Sequence, residues 1–254
     1  MFEIMTFRGV DPQWPDNINE HINQFVTHRD DLAAVRQTNK TGRDSNTLAE
    51  MRLMNEAWAS LMQPPWNVKR DEIRTIVEID KNWKEITTAH MEKFSKAVSS
   101  GALPMLGTLM LAGNQIGDDG LIALSKACAS GALKYLEIIS LSRNQIGNAG
   151  CTFFAEACTK SVLVNLRSLI LDDNNIGDEG CSALAESCED GSLANLHTLS
   201  LSRNDIGDAG FTALSKACAN GALKKLSLLN LKDQPNQISD AGLASIFTAS
   251  DLFQ

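Results

Sequence analysis

The feature that most constrains this 254-residue chain is a repeat of 30 residues. Four segments align without gaps: LPMLGTLMLAGNQIGDDGLIALSKACASGA (103–132), LKYLEIISLSRNQIGNAGCTFFAEACTKSV (133–162), LVNLRSLILDDNNIGDEGCSALAESCEDGS (163–192) and LANLHTLSLSRNDIGDAGFTALSKACANGA (193–222). The first and fourth share 19 of 30 positions. A fifth, LKKLSLLNLKDQPNQISDAGLASIFTAS (223–250), fits once a two-residue insertion at Gln234–Pro235 is allowed. A unit this short has too little interior to bury its own apolar face. Units must therefore stack, each stabilised by its neighbours.

The order within a unit is readable from its spacing. Leu103, Leu106, Leu109 and Leu111 follow LxxLxL, an entry turn and then the period-two alternation of a strand. Asn114 follows, with Asn144, Asn174, Asn204 and Asn236 as its equivalents. A buried amide there can satisfy turn backbone groups that no strand partner reaches. Asp118 and its equivalents Asn148, Asp178, Asp208 and Asp240 are expected to N-cap the helix that follows. That helix, GLIALSKACA in the first unit, puts Leu121, Leu124, Ala127 and Cys128 on one face. Gly131, Gly191 and Gly221 stand where a helix C′ glycine belongs. Each unit reads strand, turn, helix, turn.

These residues resemble the leucine-rich repeats of the ribonuclease-inhibitor type, over about 103–250. The resemblance implies an α/β solenoid, right-handed and curved, with a parallel sheet inside and helices outside. It implies a non-enzymatic protein that binds a protein partner on its concave face. Residues 73–102 carry a degenerate earlier unit, with Ile73, Ile76, Ile79 and Ile86 at the positions of Leu103, Leu106, Leu109 and Ile116. Lys81 and Lys84 replace the usual Leu and Asn, as in a terminal coil that caps a solenoid. The expected division is a small all-α subdomain over 1–72, a capping repeat over 73–102 and five repeats over 103–254.

Residues 1–72 show no repeat. Apolar spacing predicts a helix bearing Ile18, Ile22, Phe25 and Val26, and a short one with Leu32, Ala33 and Val35. A longer helix, about 46–62, carries Leu48, Met51, Met54, Trp58 and Leu61 and stops at Pro64–Pro65. The run Trp14-Pro15, Ile18, Ile22, Phe25, Val26, Asp31-Leu32, Val35-Arg36 resembles a diverged F-box. That resemblance implies a substrate receptor of a Skp–cullin ubiquitin ligase, with Pro15, Ile18, Ile22, Leu32 and Val35 touching a Skp-type adaptor. The same spacing also suits a helical cap for the solenoid, and both readings stand at this stage. A third is a structural subunit of a larger complex.

A net charge of −8 argues against nucleic-acid binding and against a polybasic membrane surface. No apolar run reaches the roughly 18 residues of a transmembrane span. The start, MFEIMTFRGVDPQW, lacks a basic n-region followed by an apolar h-region, so the expected compartment is cytosol or nucleus. There is no P-loop, GxSxG, HExxH or dinucleotide fingerprint. Four of the six cysteines, 128, 158, 188 and 218, recur with the repeat and show no metal spacing. They read as small buried side chains. No metal or cofactor is expected, and no catalytic residue.

Residues between the leucines of LxxLxL point to the concave face. Candidate partner-binding residues there are Met110, Ile138, Arg143, Ile170, Asp172, Asp173, Arg203, Leu228, Lys232 and Asp233. One column reads Arg143, Asp173, Arg203, Asp233, an ion-pair ladder that a partner would displace. The face offers roughly half of the ~800 Å² per partner in a standard interface, so a partner would also touch loops or the N-terminal region. The last strand, around Leu226–Leu231, would be a sheet edge open to self-association unless Leu252 and Phe253 cover it.

Overall fold

Among the described residues six three-residue strands recur at intervals of one repeat: β1 (Glu78–Asp80), β2 (Thr108–Met110), β3 (Ile138–Ser140), β4 (Ser168–Ile170), β5 (Thr198–Ser200) and β6 (Leu228–Asn230). Five helices alternate with them: α1 (Thr88–Ser99), α2 (Gly117–Ala129), α3 (Asn148–Cys158), α4 (Asp178–Glu189) and α5 (Asp208–Ala219). They belong to a computed structural model that describes residues 56–69, 72–158, 163–236 and 239. The strands form one parallel sheet in sequence order. Each residue pairs with the one a repeat away, as in Glu78, Thr108, Ile138, Ser168, Thr198 and Leu228. The repeat thus fixes the register, and side chains line up in columns across the sheet.

The middle residue of each of the first five strands, Ile79, Leu109, Ile139, Leu169 or Leu199, points inward and is buried. It meets Phe94, Leu124, Phe154, Leu184 and Leu214 from the helices in one continuous core. Each such side chain contributes roughly 1.5–3 kcal/mol on burial. Packed helices need about 8–10 Å between axes, while strands pair about 4.8 Å apart. Stacking coils of this composition therefore puts the sheet on the inner side of the curve. Among the described residues β6 pairs with β5 alone, and Leu229 and Leu231 are only half-buried where Leu199 and Leu201 are fully so. Leu252 and Phe253 lie outside the described residues.

Coils are joined by a ladder of side-chain amides. Asn174 Oδ1 accepts from the Asn144 and Ile146 N–H groups of the preceding coil, at 2.9 and 3.0 Å. Its Nδ2 donates to Leu141 O of that coil and to Leu171 O of its own, both at 3.0 Å. Asn114, Asn144 and Asn204 make the same kind of bridge. The last rung is not Asn236, as the alignment with an insertion implies, but Gln234. Gln234 Oε1 accepts from Ile206 N at 3.1 Å and Nε2 donates to Leu201 O at 2.8 Å. Gln234 lies a full repeat after Asn204, and its extra methylene still lets the amide reach. The insertion therefore falls after this rung, and Asn236 instead donates to Asp205 O.

The expected N-caps act differently from expectation. Asp118 lies inside the first turn of its own helix. Its Oδ1 accepts from Gly147 N and Gly150 N of the next coil, at 2.6 and 3.0 Å. Asn148 takes Gly177 N and Gly180 N in the same way, and Asp178 takes Gly207 N and Gly210 N. Each carboxylate or amide thus caps the following helix, satisfying donors that a helix start leaves open. The glycines follow from this: a Cβ on Gly150 would lie 2.6 Å from Asp118 Oδ1, and one on Gly210 2.9 Å from Asp178 Oδ1.

At the N-terminal end, a helical segment over 56–62 ends before Pro64–Pro65. Leu61, Trp66 and Val68 are buried, and Trp66 stacks on Phe94 at 4.6 Å between ring centroids. Trp58 Nε1 donates to Ser100 Oγ at 3.0 Å. Residues 57–68 thus pack against the core end and helix of the first coil. The remainder of the helix expected over 46–62 lies outside the described residues.

Capping between coils leads to a graded expectation. Asp178→Ala should lower stability by about 1–2 kcal/mol in urea unfolding, while Asp178→Asn should keep most of it. Asn148 already performs this role one coil earlier. Equal losses for the two variants would contradict the assignment.

Candidate functional site

The outward-facing columns of the sheet form the candidate interface. The first position of the strands gives Glu78, Thr108, Ile138, Ser168, Thr198 and Leu228. The third gives Asp80, Met110, Ser140, Ile170, Ser200 and Asn230. Met110, Ile138, Ile170 and Leu228 are half-buried, so each presents apolar surface beside small polar neighbours. The sequence-derived apolar residues are thus brought together on one face.

The charged column lies in the turn just past each strand. Trp83, Gly113, Arg143, Asp173, Arg203 and Asp233 all take positive φ, between 52° and 69°. Left-handed backbone disfavours ordinary side chains, so its recurrence in every coil marks a turn imposed by the coil geometry. Arg143 Nε pairs with Asp173 Oδ2 at 2.7 Å and Arg203 Nε with Asp233 Oδ2 at 3.4 Å. The expected ladder is therefore two pairs. All four side chains are about half exposed, so each pair is worth under about 1 kcal/mol.

Asp172 has a structural role. Its Oδ1 accepts from Ser200 Oγ at 2.5 Å, Ser202 N at 2.8 Å and Ser202 Oγ at 2.8 Å. It ties the fourth strand to the fifth and is the least available of the candidate residues. Asn82 does the same for Ala112 N at 2.6 Å. Lys232 is half-buried at the far end of the same column. Pro15, Ile18, Ile22, Leu32 and Val35, the candidate adaptor contacts, lie outside the described residues.

Trp83 is the residue that sequence reasoning missed. It is 62% exposed, the most exposed large apolar side chain among the described residues. Its ring lies over Gly113, where an added Cβ would fall 2.2 Å from Cε3. The Arg143 guanidinium sits 5.6 Å from the ring centroid, within cation–π range. The signal was available in the alignment: Trp83 and Gly113 head the column that continues with Arg143. A bulky ring is accommodated because the next coil has no side chain there.

The glycine-rich IGDxG turns cradle the carboxylate or amide of the preceding coil. Among the described residues no group of three or more His, Cys, Asp or Glu side chains is placed to hold a metal ion. No helix among them is long and apolar enough to cross a membrane. The six cysteines are buried and free.

The Leucine Rich repeat family model matches residues 102–125, 132–155, 162–185 and 192–215. The described fold is thus an α/β leucine-rich-repeat solenoid. Such repeats generally mediate protein–protein interaction and are typically non-enzymatic. No curated protein matches the chain. Two solved structures are similar in part. One, described as leiomodin-1 actin-binding site 2, is 13% identical with a TM-score of 0.42, covering 80% of this chain and 86% of that chain. The other, described as a TDR receptor, is 14% identical with a TM-score of 0.24, covering 63% of this chain and 43% of that chain. At TM-scores below 0.5, neither likeness bears on the partner of this chain.

Burial pushes the Cys128, Cys181 and Cys188 thiols from 9.0 up to about 12 and Cys218 up to about 11, with Cys151 and Cys158 raised as well. The unfolded chain therefore loses thiol protons first as pH rises, and stability falls between about pH 9 and 12. Below pH 9 both states keep these protons and the contribution is intact. Urea midpoints should drop from pH 8 to pH 10, and an aromatic disulfide reagent at pH 8 should label these thiols only after denaturation. Fast labelling of the native chain would contradict their burial.

Proposed function

We propose that this chain is a non-enzymatic interaction module or scaffold of the cytosol or nucleus. It binds a protein partner through the concave face of its sheet and the adjoining turns. One observation carries the reading. Met110, Ile138, Ile170 and Leu228 stand half-exposed on the face of a sheet whose other side is filled by the core. Beside them run the weak pairs Arg143–Asp173 and Arg203–Asp233, which a partner can displace at little cost. An apolar patch rimmed by charge suits protein recognition. The free, buried thiols suit a reducing compartment.

The test is retention of a stoichiometric partner on the full chain purified from its native cells. Met110→Glu and Ile170→Glu should each abolish retention while circular dichroism and unfolding midpoint stay near wild type. Leu32→Asp combined with Val35→Asp should leave retention intact. The reverse pattern, with a Skp-type adaptor and a cullin recovered from the wild type, would replace this reading with the ligase-receptor one. Retention by every variant would remove the concave face from consideration.

A further inference from the structure

The concave face is not electrostatically even. Arg143 and Asp173 neutralise each other, as do Arg203 and Asp233, while Asp172 is taken up by Ser200 and Ser202. On β1, Glu78 and Asp80 are both exposed, and neither belongs to an ion pair among the described residues. Lys81 of the same coil, at the position of Leu111, is half-buried, and Lys84, at the position of Asn114, is exposed in the bend beyond the strand. Glu78 and Asp80 stand on the strand face itself, and no ion pair among the described residues joins them to either lysine. Trp83 closes the same end of the face, with its ring already holding one cation, Arg143. The apolar surface begins one strand further on: Asp80 is in register with Met110, Met110 with Ser140, and Ser140 with Ile170.

Building on the proposed function, we infer that the N-terminal half of the concave face binds an extended segment of a partner protein that carries a basic residue followed by aliphatic residues. The lysine or arginine sits at Glu78 and Asp80 under the rim made by Trp83. The aliphatic side chains lie on Met110, Ile138 and Ile170. Strands about 4.8 Å apart place Met110, Ile138 and Ile170 about 5, 10 and 14 Å from β1. An extended chain laid across the strands advances about 7 Å for every two residues. A cation at one position then puts its second neighbour between Met110 and Ile138, and its fourth over Ile170. The preferred segment reads basic-x-aliphatic-x-aliphatic, in one chain direction or the other. Charge complementarity sets the sign of the partner, because this end of the face is anionic and the whole chain carries −8.

The test is selection of a random phage-displayed library of 12-residue peptides on the immobilised full chain. Enriched peptides should carry Arg or Lys at that spacing from aliphatic residues. Binding of a synthetic copy of the leading peptide should weaken at least tenfold on Glu78→Lys combined with Asp80→Lys, and severalfold on Trp83→Asn, which keeps a residue tolerant of positive φ. Reselection on the charge-reversed variant should enrich acidic peptides. Enriched peptides lacking a basic residue, yet lost on Ile170→Glu, would overturn this inference and leave the concave-face reading standing. Peptides indifferent to both Ile170→Glu and the β1 reversal, or no enrichment at all, would overturn both.

Discussion

The buried amide ladder is the interaction on which the rest of this solenoid depends. A strand of three residues leaves the turn after it with backbone groups that no sheet partner reaches. Burying them unpaired would cost about 1–3 kcal/mol each. Asn114, Asn144, Asn174 and Asn204, followed by Gln234, satisfy them with both ends of one amide, and each bridge spans two coils. The ladder therefore fixes both the local turn and the spacing of neighbours. A second ladder of Asp118, Asn148 and Asp178 does the same at the helix starts.

Two ladders and one leucine core use up the inward side of every coil. What remains free is the outward side of the sheet and the turns beside it. The positive-φ position is where this matters most, because that turn aims Trp83, Arg143, Asp173, Arg203 and Asp233 along one rim. Core and ladder residues hardly vary between coils, whereas rim and strand-face residues differ in nearly every coil. The scaffold is thus separated physically from the surface that meets a partner.

Strands, helices, register and the buried cysteines were legible in the sequence because each rests on local periodicity that repeats. Contacts between coils were harder to read. Asp118 has the chemistry of an N-cap and sits near a helix start, yet its partners are Gly147 and Gly150 of the next coil, which only stacking brings near. Asn236 matched by residue type, but distance along the chain favoured Gln234, since a glutamine amide reaches the same acceptors. Asp172 read as surface charge because its serine partners lie on the neighbouring strand. Trp83 was passed over because its coil is degenerate, and its prominence comes from the bare Gly113 beside it.

The amide ladder is tested most directly by comparing Asn174→Ala with Asn175→Ala in urea unfolding. Asn174 is 8% exposed and bridges two coils, whereas its neighbour Asn175 is exposed. Removing the Asn174 amide orphans Asn144 N and Ile146 N. A loss of about 3–5 kcal/mol is expected for Asn174→Ala, against less than about 0.5 kcal/mol for Asn175→Ala. Losses within about 0.5 kcal/mol of each other would contradict the claim that this ladder holds the coils together.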